Sequence, residues 1–286
     1  MLKIGVAILS LLVALMASPS GMADMKVKEE ATTRAGSASG TATSRNEYVV
    51  VYYVQGSARR RDTWSVLGTH SAVVRHCDTG KAYAIEFDRK QYWELRPLIY
   101  RSRPTPKPSG TEGAGASGRT TNATLVTIRS RTVEVGKPRR VFGHLARHYV
   151  TNAEEFVGPP AATPEAEQHI DGWYLSGIRE PNTNCLPDDL AAQPSAWIGA
   201  PDLAPIGNIA PPWQHSGPSA TGLAVEETRT IDFKKASTRS GVKGTTMSLY
   251  HKVVDLSESP LDPSLFLVPK GFTRVAEPPF GKPVTR

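Results

Sequence analysis

The sequence predicts a mainly β protein: antiparallel strands joined by long Pro- and Gly-rich loops, with little helix. Three observations carry this. Gly and Pro number 24 and 23 in 286 residues, high for a helical protein and ordinary for a loop-rich β one. Short runs of β-branched and aromatic residues alternate with polar ones or run continuously, and Gly- or Pro-containing turns separate them. Amphipathic helical spacing is scarce.

The elements follow in order. Residues 1–23 carry one charge, at Lys3, then an apolar run and the small residues Gly21-Met22-Ala23, the pattern of a secretory signal peptide cleaved after Ala23 or Ala17. The apolar run is shorter than the ~20 residues of a membrane-spanning helix, and no later segment approaches that length, so no transmembrane segment is expected in the mature chain. Residues 24–46 hold almost no large apolar side chains and are expected to form a flexible leader, with the fold starting near Glu47. Residues 48–54 (YVVVYYV) read as a strand buried on both faces. Two further strands, 71–77 and 81–87, flank the turn Asp78-Thr79-Gly80. A short strand at 91–95 comes next.

Residues 101–120 are loop chemistry, with Pro104, Pro106 and Pro108 in a Ser/Thr/Gly background. Strands at 125–135 and 140–151 flank Gly136-Lys137-Pro138. After a soft stretch at 158–168, residues 170–175 (IDGWYL) form a strand, and 181–220, rich in Pro, reads as a second insertion. Residues 223–233 pair with 245–256 as a hairpin, with Leu223, Val225, Glu227, Arg229, Ile231 and Phe233 on one face. One helical turn is expected at 263–266, capped by Asp262 with Pro263 at its first position. Residues 276–286 are a tail. The expected organisation is therefore one domain over 47–275.

Charge is uneven. Residues 24–140 hold 21 basic and 11 acidic groups, a balance of +10, and residues 141–286 hold 12 and 16, a balance of −4. A basic half suits an anionic lipid head group or envelope polymer; export makes nucleic acid an unsuitable partner. The sequence contains two Cys, which excludes Cys₄ zinc sites and ferredoxin-type clusters, and in an oxidising compartment Cys77 and Cys185 are candidates for a disulfide.

Catalytic motifs are absent. Ser37, set among glycines in GSASG, lies in the leader without the strand-turn-helix context of a nucleophile elbow. Phosphate- and dinucleotide-binding glycine motifs do not occur. His144 and His148 are four apart but lack a further ligand at useful spacing, so no metal is expected. No cofactor is implied.

Four stretches carry a family resemblance: DTGKAYAIEFDRKQYWEL at 78–95, GHLARHYV at 143–150, IDGWYL at 170–175 and, most specifically, LDPSLFLVPKGF at 261–272. Their order resembles a bacterial domain of unknown function in the outer-membrane lipoprotein-carrier (LolA-like) superfamily. The resemblance implies an antiparallel sheet curled into an incomplete barrel, with a concave apolar face of the kind the characterised carriers use to shield acyl chains. It brings no catalytic motif. The carriers cover the cavity with helices, and here the 181–220 loop would have to do so.

Together these readings describe a secreted, periplasmic, non-enzymatic protein that binds a lipid or other hydrophobic ligand, with Tyr83, Ile85, Phe87, Trp93, Trp173 and Phe233 as candidate contacts. The alternative is an envelope structural or protein-interaction module whose core is filled by its own side chains. A hydrolase assembled from distant loops is the third reading.

Overall fold

Alternation of inward and outward side chains builds one sheet. In a computed structural model, which describes residues 24–37, 44–95, 126–157, 163–181, 185, 213–218, 222–234 and 244–277, the strands are β1 Met25–Ser37, β2 Ser44–Gln55, β3 Ala58–Ser65, β4 His70–His76, β5 Lys81–Glu86, β6 Gln91–Glu94, β7 Val126–Glu134, β8 Arg139–Val141, β9 His144–Val157, β10 Ala166–Leu175, β11 Trp213–Ser216, β12 Leu223–Phe233, β13 Thr245–Ser257 and β14 Thr273–Arg274. They form a 14-stranded sheet in the order β11-β7-β9-β10-β12-β13-β1-β2-β3-β4-β5-β6-β14, with β8 paired to β9 off this path. The end strands do not meet, so the sheet is an incomplete barrel.

Two meanders make up the sheet, β2 to β6 and β7 to β13, and β1 joins them by pairing antiparallel with both β13 and β2. This corrects the expectation of a flexible leader over 24–46. The segment begins Met25-Lys26-Val27-Lys28-Glu29-Glu30-Ala31, and Met25, Val27, Glu29 and Ala31 are buried while Glu30 is exposed. Period-2 alternation with small inward residues suffices here because both neighbouring strands are long and share the burial.

The sheet curls with one face inside. Met25 and Val27 of β1, Val54 of β2, Ala146 of β9, Leu175 of β10, Leu223 and Val225 of β12 and Val253 of β13 meet in one core. β9 and β2 stand five places apart in the sheet, and one apolar cluster links them. On β2 to β5 the opposite face forms a second core of Ala72, Val74, Ile85 and Phe266. Phe266 belongs to the single 3-10 turn Pro263–Phe266, whose Asp262 cap accepts a hydrogen bond from the Ser264 N–H at 2.9 Å, as the sequence predicts. Arg60 Nη1 donates to the Leu265 carbonyl at 2.7 Å, and the imidazole of His76 lies 3.1 Å from that of Phe266. These contacts hold the turn against the sheet.

Both edge strands are short and parallel to their neighbours: β11 lies on β7, and β14 on β6. β11 corrects the reading of 181–220 as loop throughout. The signal segment 1–23, the 101–120 loop, most of 181–220 and the end of the tail lie outside the described residues. Among the described residues no helix is long and apolar enough to cross a membrane.

Candidate functional site

The concave face has three zones. At one end lies the packed apolar core already described. A segment of the chain crosses this end: after Leu175, the Ile178 side chain packs into the same core, and its carbonyl accepts a hydrogen bond from the Leu223 N–H at 2.7 Å. Farther along, Cys185 is bonded to Cys77, just after β4, with Cα atoms 5.3 Å apart. The segment thus ties β10 to the end of β4, six places away in the sheet.

The middle zone is polar and centres on Glu227. This β12 side chain is 1% exposed; its carboxylate accepts hydrogen bonds from the Tyr174 hydroxyl at 2.5 Å and from Arg229 Nε at 2.6 Å. His251 of β13 stands between two carboxylates, with Nε2 3.6 Å from Glu227 and Nδ1 3.8 Å from Glu29. Burial alone would raise the Glu227 carboxyl, but Arg229 and His251 outweigh it and hold the group well below the usual carboxylate range. Burial likewise opposes the charge on His251, and its contacts with Glu227 and Glu29 overcome it, pushing the imidazole up to about 10. Burial, then the Glu227 charge, pushes the Tyr174 phenol up. A cluster of this kind is stable only because each charge has a partner.

Local backbone makes the cluster possible. Gly172 of β10 faces Glu227 across the ladder, and a Cβ there would meet Tyr174 Cε2 at 2.9 Å and Glu227 Cγ at 3.1 Å. Only the missing side chain lets the Tyr174 ring lie across the strand to reach the carboxylate. Glu180, in the crossing segment, is exposed; partial loss of hydration beside the cluster, then the Glu227 charge, raises its carboxyl. Farther along the same wall, Gln168 is buried with neither amide atom partnered among the described residues, a cost of about 1–3 kcal/mol.

The third zone lies on β3 to β6. Tyr52 pairs with Arg61, Arg61 with Val73, Val73 with Ala84 and Ala84 with Trp93, and residues directly opposite share a face. One step along, Val54 pairs with Arg59, Arg59 with Arg75 and Arg75 with Ala82. The concave side here therefore carries Arg59, Arg61 and Arg75 beside the small residues Val73, Ala82 and Ala84, ending at Trp93. Arg59 and Arg75 are directly opposite in the ladder, and Arg59 Nη1 donates to the Ala58 carbonyl at 2.8 Å. Burial lowers the proton affinity of Arg59.

The six candidate contacts do not form one group. Tyr83, Ile85 and Phe87 belong to the face covered by the C-terminal segment: Ile85 is in the core with Phe266, and Phe87 packs edge-on against Phe272, ring centroids 5.5 Å apart. Trp93 is on the concave face. Trp173 is half-buried and packs against the apolar core, stacked on His148 at 4.8 Å with Arg139 over its ring at 4.0 Å. Phe233, opposite Ala166 and Thr245, ends the concave face of β12. His144 meets Glu258 at 3.8 Å, and His148 meets Asp171 at 2.6 Å; among the described residues no group of three or more His, Cys, Asp or Glu side chains is placed to hold a metal ion. Sequence reasoning placed Glu227 and Arg229 on one face but left His251 and Glu29 apart. Their meeting depends on β12-β13-β1 register, for which the sequence of β1 offers only its alternation.

No protein-family model matches the chain, and no curated protein matches it. Among solved structures, the chain is similar to a domain from Vibrio parahaemolyticus described as a putative outer membrane lipoprotein-sorting protein, at 9% identity and a TM-score of 0.27, covering 90% of this chain and 95% of that one. It is also similar to a DUF1329 family protein from Desulfovibrio piger, at 8% identity and a TM-score of 0.28, with the same coverage of each chain. At such scores neither alignment bears on what this chain binds.

Proposed function

We propose that the protein is a non-enzymatic, periplasmic binding protein whose concave face holds an amphiphile, with an apolar chain over Val73, Ala82, Ala84 and Trp93 and an anionic head against Arg59, Arg61 and Arg75. One observation carries the reading. On β4 and β5 the large side chains Val74, Tyr83 and Ile85 point to the face covered by the C-terminal segment, and the small ones point to the concave side, where three arginines stand with no acidic residue in their two cross-strand rows. A curled sheet lined by small side chains leaves room for a ligand, and arginines suit an anionic head group. The crossing segment would take the place of a helical lid.

The test is a fluorescence titration with a polyene fatty acid and its methyl ester. Saturable binding is expected for both, with the acid tighter. Arg61→Gln should weaken the acid by roughly tenfold, about 1.4 kcal/mol, and leave the ester nearly unchanged. Trp93→Ala should weaken both. Failure of either compound to bind saturably contradicts the proposal and favours an interaction module with a self-filled core.

A further inference from the structure

The hairpin of β8 and β9 carries a feature that its own folding does not require. Its two-residue turn is Phe142-Gly143, with φ values of 50° and 81°. Two successive positive φ angles suit Asn-Gly or Gly-Gly; a bulky aromatic in the first place is sterically disfavoured. Nor does the ring repay this by joining the core. Phe142 is 41% exposed, and so is Leu145 beside it.

The turn segment itself is basic, and Glu258 meets it from elsewhere in the chain, 3.8 Å from His144. Residues 135–147 include Lys137, Arg139, Arg140 and Arg147 and no acidic residue. Arg139 reaches Glu226 and Arg147 reaches Glu134, both at strand positions behind the tip. Arg140 Nη1 donates to the Gly143 carbonyl at 2.8 Å and so holds the turn, and Lys137 is exposed. The hairpin is firmly mounted: Val141 packs on the apolar core, and the Leu145 carbonyl accepts from the Ser176 N–H at 3.1 Å, where the crossing segment begins.

We propose that this hairpin docks the protein on an anionic phospholipid surface, with Phe142 and Leu145 entering the head-group layer and Lys137 and Arg140 facing lipid phosphates. An exposed aromatic and an exposed aliphatic side chain beside Lys137 and Arg140 match the chemistry of an interfacial anchor. Two exposed side chains are far too little for a stable protein interface, which buries roughly 800 Å² on each partner. Docking in this pose brings the segment-covered end of the concave face to the membrane. The inference stands independently of what the concave face binds.

The experiment is co-sedimentation of the full mature chain with phosphatidylcholine vesicles, with and without phosphatidylglycerol, at low and high salt. Binding is expected only with phosphatidylglycerol and should fall with salt. Phe142→Gly relieves the turn, so its thermal midpoint should be unchanged or higher, while vesicle binding falls by roughly tenfold. Lys137→Gln should weaken binding at low salt more than at high salt. Absence of binding to the anionic vesicles overturns the proposal, and so does binding that Phe142→Gly leaves unchanged, including the case where the hairpin instead captures an envelope protein.

Discussion

Glu227, Arg229, His251, Glu29 and Tyr174 form a charged cluster inside a curled sheet, where an unpaired charge would be costly. Two of its members, Glu227 and His251, act on stability in defined pH ranges. Glu227 is held below its ordinary value, so its contribution is present above about 4.5 and is lost as pH falls through its folded value. His251 is held above its ordinary 6.5, so its contribution is complete below that value and is lost as pH rises through about 10. Stability from this cluster should therefore be greatest between about pH 4.5 and 6.5 and decline on both sides. Glu227→Ala should cost about 3–5 kcal/mol at pH 6, because it removes the buried carboxylate that Arg229 and His251 both contact, and His251→Gln should flatten the alkaline limb. Thermal unfolding across pH measures both; a Glu227→Ala variant as stable as the parent would show that the cluster is not closed as described. Little of this was legible in the sequence, since Glu227 and His251 meet through cross-strand register and Glu29 lies in a segment whose composition resembles a leader.

At the scale of elements, the sequence was most readable where a turn and two alternating strands lie close together. The β4-β5 and β12-β13 hairpins and the capped turn at Pro263–Phe266 all appear where turn residues and periodicity place them. β1 was missed for a physical reason: beyond Met25 and Val27 its inward positions are Glu29 and Ala31, not the large apolar side chains that mark a strand, and it borrows its burial from β13 and β2. The edge strands β11 and β14 were equally hidden, because short parallel pairings leave no local signature. The C-terminal turn closes the second core through Phe266, and Phe266→Ala should destabilise by about 3–5 kcal/mol. Chemical denaturation measures this, and a midpoint equal to that of the parent would mean that the segment does not close the sheet.

The whole molecule is an open sheet whose two faces are treated differently. Apolar bulk fills one end of the concave side and the C-terminal cover, while small and basic residues line the concave side of β3 to β5. The basic balance of residues 24–140 noted in the sequence thus includes three arginines that the fold gathers on one concave face. Binding of an amphiphile there is the central claim, and native mass spectrometry of the mature protein, taken from a periplasmic extract without detergent and followed by solvent extraction, tests it most directly. The account predicts an excess mass that leaves as an anionic lipid or fatty acid. A clean apo mass, unchanged after incubation with envelope lipids, would contradict it.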